Sequence, residues 1–273
     1  MPSTPPVVLT VAGFDPSSGA GITADIKTIA AHGCYGVAGL TALTVQSTAG
    51  VRRIEPVRPQ FLTWTLEELA SDVEIAAVHI GMLASEEVVD AVAAFLTARR
   101  PPNVVLDPIL RSSSGTELLN GKGIQALVRK LLPLATIATP NVDEAAFLTE
   151  LPVGNLEQMA EAARKLHSMG AAAVVVTGGH LEQPIDVFSM VDACGMQQQV
   201  FEGEHQDSRS THGTGCAFAT AIACQLARGR DLVEAVRLAK KYVAVAIGNA
   251  YSLGRGIGPV NHLYGMPPSA PTI

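Results

Sequence analysis

The sequence predicts an α/β fold in which a mostly parallel sheet is covered by helices on both faces. Three observations predict it. β-branched, strand-like runs alternate with helix-like stretches from one end of the chain to the other, the pattern of successive βαβ units. Some of these runs, such as the Ala-Ala-Val-Val-Val of 172–176, are apolar throughout, as strands buried on both faces are. Hydrophobic residues make up 48% of the 273 positions and charged residues only 16%, enough apolar material to fill two core layers.

In order, the pattern reads as a strand at 7–11, a Gly/Ser loop, and a helix at 22–32 stopped by Gly33. A strand follows at 37–45, then a helix at 58–71 with Pro59 in its first turn. Next come a strand at 77–80, an amphipathic helix at 86–97 and a strand at 104–106 that ends on Asp107-Pro108. A helix at 122–132, a strand at 136–139 and helices at 142–150 and 156–169 lead to the strand at 172–176. Two β segments at 185–191 and 197–201 precede two closing helices at 215–227 and 232–250. No linker or repeat divides the chain, so 1–273 reads as one domain, with 267–273 a frayed tail. In sheets of this kind ligands sit beyond the carboxyl ends of the strands. That directs attention to the loops at 13–21, 46–50, 81–83, 107–115, 140–144 and 178–180.

Composition excludes several classes of function. With 19 basic and 25 acidic residues the net charge is −6, and no long basic run is present, so nucleic acid is not expected as a partner. Aromatic residues, at 4%, are too few for a base-stacking platform. The longest charge-free apolar helix candidate, 213–227, is too short to span a bilayer, and the N-terminus lacks a signal-peptide pattern. The four cysteines, Cys34, Cys194, Cys216 and Cys224, form no C-x-x-C pair, which suits reduced thiols in the cytoplasm.

Four segments carry candidate chemistry. The first is Thr211-His212-Gly213-Thr214-Gly215-Cys216, a glycine turn feeding a helix of small residues. Converging N–H groups and the positive end of a helix make an anion site, suited to a phosphoryl group in transfer. A simple helix-capping turn is the plain alternative. Cys216 falls in the first turn, where a thiol pKa is lowered; it either accepts a proton or lines the pocket. The second is the strand–loop–helix segment of 11–25, with Gly13, Gly19 and Gly21 out of register for a dinucleotide fingerprint. Its glycines admit a flat ring close to the backbone, and Asp25 either accepts from an amino group or is a solvated helix-start carboxylate. The third is Asp107 at one strand end and Asn141-x-x-Glu144 at another. These carboxylates suit Mg²⁺ held through water, while Asn141 and Glu144 also have the spacing of a capping box. The fourth is Thr177-Gly178-Gly179-His180, a strand end suited to a nucleotide, in which His180 alone reads as structural.

Taken together these segments resemble the hydroxymethylpyrimidine/phosphomethylpyrimidine kinases of thiamine biosynthesis, in the ribokinase superfamily. The matching stretches run in order: 12–21, 24–28, Thr41-Ala42-Leu43-Thr44-Val45-Gln46, Ile80-Gly81-Met82, Val105-Leu106-Asp107-Pro108, Thr139-Pro140-Asn141-x-x-Glu144-Ala145 and His212-Gly213-Thr214-Gly215-Cys216. The resemblance spans residue 9 to about residue 262. It implies a ribokinase-like three-layer α/β/α sandwich with a small β flap. It implies two successive phosphorylations by ATP and Mg²⁺, of a hydroxymethylpyrimidine and then of its monophosphate. Gln46 and Asp25 would bind the aminopyrimidine, and Gly13, Ala20 and Met82 would shape its pocket. Gly213, Thr214, Gly215 and Cys216 would form the anion hole; in many relatives an Asp stands at the position of Cys216 and is the base. Asn141, Thr177, Gly178 and Thr211 would face ATP, with Asp107 and Glu144 organising Mg²⁺. A homodimer is expected. The chain departs from the family at Thr177, where a lysine is usual, and Arg111 is the expected substitute for that charge. Pyridoxal kinase, from the same superfamily, is the nearest rival. A kinase fold that binds a small molecule without catalysis and a nucleotide-dependent oxidoreductase are rivals of other classes.

Overall fold

The protein is described by a computed structural model covering residues 4–112, 114–179, 181–193, 195–204, 206 and 208–266. His180, Cys194 and the 267–273 tail, each the subject of an expectation above, lie outside the described residues.

The chain runs β1 (Val7–Phe14), α1 (Gly21–Ala31), β2 (Tyr35–Ser47), β3 (Gly50–Pro56), α2 (Pro59–Asp72), β4 (Ile75–Ile80), α3 (Glu86–Arg99) and β5 (Val104–Leu106). It continues through α4 (Gly121–Ala126), β6 (Ile137–Ala138), α5 (Val142–Thr149), α6 (Leu156–Ser168), β7 (Ala173–Gly178), β8 (Ile185–Asp192), β9 (Gly195–Glu202), α7 (Thr214–Ala227) and α8 (Leu232–Gly248). The described strands form one sheet in the order β3-β2-β1-β4-β5-β6-β7-β8-β9. It is parallel from β2 to β7 and antiparallel at both edges, where β3 turns back on β2 and β8 and β9 turn back on β7. This is the expected mostly parallel sheet with a small flap.

Strand pleating divides the core in two. Leu9, Val11, Val78, Ile80, Val174 and Val176 pack with α2, α3 and α6 on one face. Val8, Ala77, Val105 and Val175 pack with α1, α7 and α8 on the other. Helix α7 is built from small residues on its buried side, Ala217, Ala219, Ala221 and Ala223, so it lies close against the sheet. That proximity brings its N-terminus to the carboxyl ends of the parallel strands.

Three elements differ from expectation for identifiable reasons. Strand β3 has the sequence Gly-Val-Arg-Arg-Ile-Glu-Pro, with none of the apolar alternation that marks a buried strand, because it is an exposed flap. Its pairing extends β2 to Ser47, so Gln46 sits on a strand opposite Val51 instead of in a loop. The helix expected at 122–132 breaks after α4 into a π turn at Leu127–Leu131 and a 3₁₀ turn at Leu132–Leu134, where Pro133 has no N–H to continue it. Strand β7 reaches Gly178 because Thr177 and Gly178 pair with Asp186 and Ile185.

A buried polar cluster joins the layers beneath α7. Asp25 of α1 is fully buried and accepts from Thr10 Oγ1 at 2.6 Å and Thr220 Oγ1 at 2.9 Å. Its Oδ2 lies 3.4 Å from Nδ1 of the equally buried His79 on β4. Burial disfavours the imidazolium, but the charge and hydrogen bond of Asp25, with a contribution from Asp107, outweigh it and raise the His79 pKa. Replacing Asp25 by Ala would leave that imidazole buried without its counter-charge. The expected loss is about 3–5 kcal/mol in urea unfolding. A raised histidine pKa gives stability that is complete below about pH 6.5 and is lost as the pH rises through the folded value. The deficit of the variant should therefore be larger at pH 6 than at pH 9; a deficit independent of pH would contradict the pairing.

Candidate active site

The loop after β1 is folded around one carboxylate. Asp15 is buried; its Oδ1 accepts from the backbone N–H of Ser17 at 2.8 Å and from Ser17 Oγ at 2.7 Å. Its Oδ2 accepts from the Ala20 N–H at 2.9 Å and from His212 Nε2 at 2.8 Å. Burial alone would raise its pKa, but the hydrogen bonds from His212 and Ser17 hold it below the ordinary carboxylate value. Lys27 reaches back from α1 to the Ser18 carbonyl at 2.8 Å. The loop is thereby fixed at three points.

The N-terminus of α7 docks on this loop. Gly213 caps the helix with φ +82°, and a Cβ there would stand 1.8 Å from the Gly19 carbonyl oxygen. Only glycine meets both conditions. The Thr214 N–H makes a long 3.3 Å bond to the Thr211 carbonyl, which also accepts from Thr214 Oγ1. The amides of Gly215 and Cys216 have no hydrogen-bond acceptor among the described residues. They head a helix of 14 residues, where unspent N–H groups and the positive end of the helix favour an anion.

Beside this helix start lie two buried carboxyls. Asp107 follows β5; its Oδ1 is 3.5 Å from Thr139 Oγ1, while its Oδ2 has no partner among the described residues and lies 3.8 Å from where a Cβ on Gly215 would stand. Burial is the main cause that pushes its pKa up to about 7, opposed by His79. Glu144 is pushed up to about 8, by burial first and then by the charge of Asp107. Asn141 and Glu144 form the capping box: the Asn141 N–H donates to Glu144 Oε2 and the Glu144 N–H to Asn141 Oδ1, both at 2.9 Å. Among the described residues no three His, Cys, Asp or Glu side chains form a ready-made metal cage. Asp107 and Glu144 are two hard oxygen groups of the kind that hold a hydrated cation.

The ring-pocket residues meet on the other side of the Gly213 turn. A Cβ on Gly13 would lie 3.0 Å from Met82 Sδ, and Ala42, Met82 and Leu118 form a small apolar cluster. Gln46 approaches His212 at 3.3 Å, and the two line a cavity of about 120 Å³ with Ser112, Ser114 and Gly50. Ala20 lies against Gly213. Ala20 and Gln46 thus border the turn at His212 and Gly213, while Gly13 and Met82 lie against each other.

Three expectations are corrected. Asp25 lies beneath the pocket, not on its wall: it has no exposed surface, and Thr10, Thr220 and His79 occupy its oxygens. The Cys216 thiol moves opposite to expectation. Burial and the carboxylates Asp107, Asp25 and Glu144 push it well above the ordinary thiol value, against a hydrogen bond from Gly21. Desolvation is the largest of these causes, and it acts against the lowering expected from the helix N-terminus. The Gly178 N–H is spent on Asp186 Oδ1 at 3.1 Å and the Thr177 N–H on the Pro140 carbonyl at 2.9 Å, so neither amide faces a nucleotide. Thr177 does stand next to Asn141 through a β-bridge. Thr211 is exposed at the mouth of the turn, and Arg111 is exposed in a β-bridge with Glu117.

Sequence reasoning missed two arrangements. The Asp15–His212 pair joins residues 197 positions apart, and only the adjacency of His212 to the glycine turn hinted at it. Lys240 of α8 lies 2.6 Å from Asp186, the residue that binds Gly178, and so brings a cation to the end of β7.

A family model described as phosphomethylpyrimidine kinase matches residues 15–261. A bifunctional thiamine biosynthesis protein of Geobacter sulfurreducens is 45% identical over 256 residues; the match covers 94% of this chain and 52% of that protein, so the chain spans about half its length. A hydroxymethylpyrimidine/phosphomethylpyrimidine kinase of Streptomyces coelicolor is 41% identical over 267 residues, covering 96% of each chain. Among solved structures, an ADP complex of Bacillus subtilis pyridoxal kinase superposes with TM-score 0.86 at 32% identity, covering 95% of this chain and 98% of that one. A phosphomethylpyrimidine kinase from Clostridium difficile superposes with TM-score 0.78 at 34% identity, covering 89% and 99%.

A carboxyl whose folded pKa lies above its unfolded one costs stability as the pH rises between the two values. Asp107→Asn should therefore raise the melting temperature at pH 8, by at least about 2–4 °C for a loss of 1 kcal/mol of strain in a chain of this size. At pH 4 the change should be small. A lower melting temperature at pH 8 in differential scanning calorimetry would show instead that Asp107 is a well-paired carboxylate.

Proposed function

The chain belongs to the phosphomethylpyrimidine kinase family, and from that membership we propose how its residues carry the chemistry. It is an ATP-dependent phosphotransferase that acts on 4-amino-5-hydroxymethyl-2-methylpyrimidine and on its monophosphate, in thiamine diphosphate biosynthesis. The observation that carries the reading is the pair of unspent amides at Gly215 and Cys216, close to two buried carboxyls and, through His212, to the cavity that Gln46 lines.

In this reading the ring lies over Gly13, Ala20 and Met82 and meets Gln46. Its hydroxymethyl group points to the turn at Gly213. The amides of Gly215 and Cys216, with Gly213 and Thr214 shaping the turn, stabilise the charge on the phosphoryl group as it passes. Asp25 acts from below, by fixing α1 and α7 against the sheet. Cys216 contributes its main-chain N–H and a small apolar side chain. Asn141, Thr177 and Thr211 border the ATP phosphates. The buried, unpartnered Asp107 Oδ2 and the neighbouring Glu144 fit a hydrated Mg²⁺, which when bound supplies charge neutralisation for the phosphates. The lysine usual in the family at position 177 is replaced in function by Arg111 or by Lys240. In the same reading the whole chain is one kinase domain, works in the cytoplasm and forms homodimers. The exposed Leu43, Val45, Phe61 and Trp64 offer apolar surface for self-association. Among the described residues no helix is long and apolar enough to cross a membrane.

Pyridoxal phosphorylation is the second reading, favoured by the pyridoxal kinase superposition. Parallel kcat/KM measurements on the two rings decide between them, and the pyrimidine is expected to win. With Mg-ATP and the hydroxymethylpyrimidine, chromatography should show monophosphate and then diphosphate; no ATP consumption would leave a binding protein. Gly213→Val should lower turnover at least about 100-fold, the scale of losing an oxyanion-hole donor, in a protein that still folds. Retained turnover would refute the anion-site assignment. Arg111→Ala should slow the second phosphorylation at least about tenfold. If it changes neither step and Lys240→Met does, the substitute cation is Lys240.

A further inference from the structure

The hydrogen bonds around His212 determine which way the Gln46 amide faces. Asp15 receives Ser17 N, Ser17 Oγ, Ala20 N and His212 Nε2 within 2.7–2.9 Å. A carboxylate collecting four donors is an acceptor only, so Nε2 of His212 carries a proton. With the Gln46 nitrogen 3.3 Å from that same Nε2, two donors would face each other. On the far side of the amide, Thr44 Oγ1 lies 3.2 Å from the Gln46 oxygen, yet its single proton goes to the Phe14 carbonyl at 2.9 Å. Two acceptors would face each other there. Turning the amide over removes both conflicts: the nitrogen then donates to Thr44 Oγ1, and the oxygen takes at 3.3 Å a bifurcated share of the single Nε2 proton that Asp15 holds at 2.8 Å.

We propose that His212, held by Asp15, is a positioning residue that locks the Gln46 amide in this orientation, and that the locked amide selects a heterocycle presenting an amino group beside a ring nitrogen. This rests on Gln46 meeting the ring, as above. Once His212 and Thr44 have taken their shares, the amide keeps one N–H and one oxygen lone pair. An amino N–H and an adjacent ring nitrogen satisfy both, as adenine does with Gln or Asn. A pyridine bearing a hydroxyl and a methyl group beside its nitrogen does not present that pair.

The lock is built into the backbone. A Cβ on Gly19 would lie 2.3 Å from His212 Cδ2, so the imidazole rests on bare main chain. The His212 N–H donates to the Gly258 carbonyl at 3.0 Å, and its carbonyl accepts from Val260 N at 3.4 Å. The next residue is Gly213. The ring that orients Gln46 is thus one peptide from the anion turn, and a heterocycle accepted by Gln46 is delivered in register with the phosphoryl site.

The test is the ratio of kcat/KM for the aminopyrimidine over the same hydroxymethylpyrimidine lacking the 4-amino group. The wild type should prefer the amino ring by about 5- to 150-fold, the range of one good bidentate contact. Gln46→Ala should abolish the preference. His212→Phe, which keeps a ring without the N–H, should abolish it too, and combining the two changes should cause no further loss in the ratio. His212→Gln, which restores a donor, should recover part of it. Asp15→Asn should weaken the preference and serves as the second route if His212→Phe does not fold. If Gln46→Ala loses the preference while His212→Phe and Asp15→Asn keep it, the positioning role is overturned and the ring contact stands. If Gln46→Ala keeps it, the ring contact itself is wrong. A loss of kcat with the ratio unchanged would mark His212 as a structural support for the anion turn only.

Discussion

At Gly213 and Gly19 two backbones touch with no space for a side chain between them, and this contact fixes the relation of the two halves of the site. One half is the loop after β1, proposed above to receive the flat ring. The other is the front of α7, where amides converge. Each would be a common feature alone. Their contact, reinforced by the Asp15–His212 bond, sets the distance between the two proposed subsites, and little else in the sheet has to be exact. The small-residue face of α7 serves the same end by letting the helix lie deep enough for its N-terminus to reach the loop.

Electrostatics then divides the work among acidic groups that look alike in sequence. Asp15 is buried among four donors and stays ionised, so it organises. Asp25 is buried against hydroxyls and an imidazole and braces the layers. Asp107 and Glu144 are buried with too few partners, and their pKa values rise. The last two cost stability in the free protein, as groups reserved for a charged ligand do. The same crowd of carboxylates explains Cys216. A helix N-terminus lowers a thiol pKa when the surroundings are neutral or cationic. Here desolvation and three acidic neighbours push the thiol the other way.

The fold was largely legible because helix and strand periods are properties of short windows, and the buried strands are strongly apolar. What was not legible was either edge structure or a long-range partner. Strand β3 has no buried face to leave a period, and Gln46 was consequently read as a loop residue when it is held in register opposite Val51. The glycine turn was legible, since Gly213, Gly215 and the helix that follows are adjacent in the chain. Whether its amides were free was not, because that depends on where every other acceptor lies. Asp25 shows the opposite failure. A carboxylate one turn into a helix looks available in sequence, and only the arrival of Thr10, His79 and Thr220 from three other elements shows that its oxygens are taken.

Discrimination between rings has to come from hydrogen-bond polarity, because the architecture does not supply it. Pyridoxal kinase and phosphomethylpyrimidine kinase structures both superpose on this chain along nearly its whole length. A shared scaffold offers both rings the same apolar floor, and apolar contacts separate flat heterocycles of similar size weakly. An amide of fixed orientation separates them strongly once the ring covers it, since the wrong ring leaves a donor or an acceptor unpaired. An amide free to turn over would accommodate either ring and lose that penalty. Selectivity therefore depends less on the presence of Gln46 than on what prevents its rotation, and on this chain that is a proton on His212 held in place by Asp15 from the far end of the sequence.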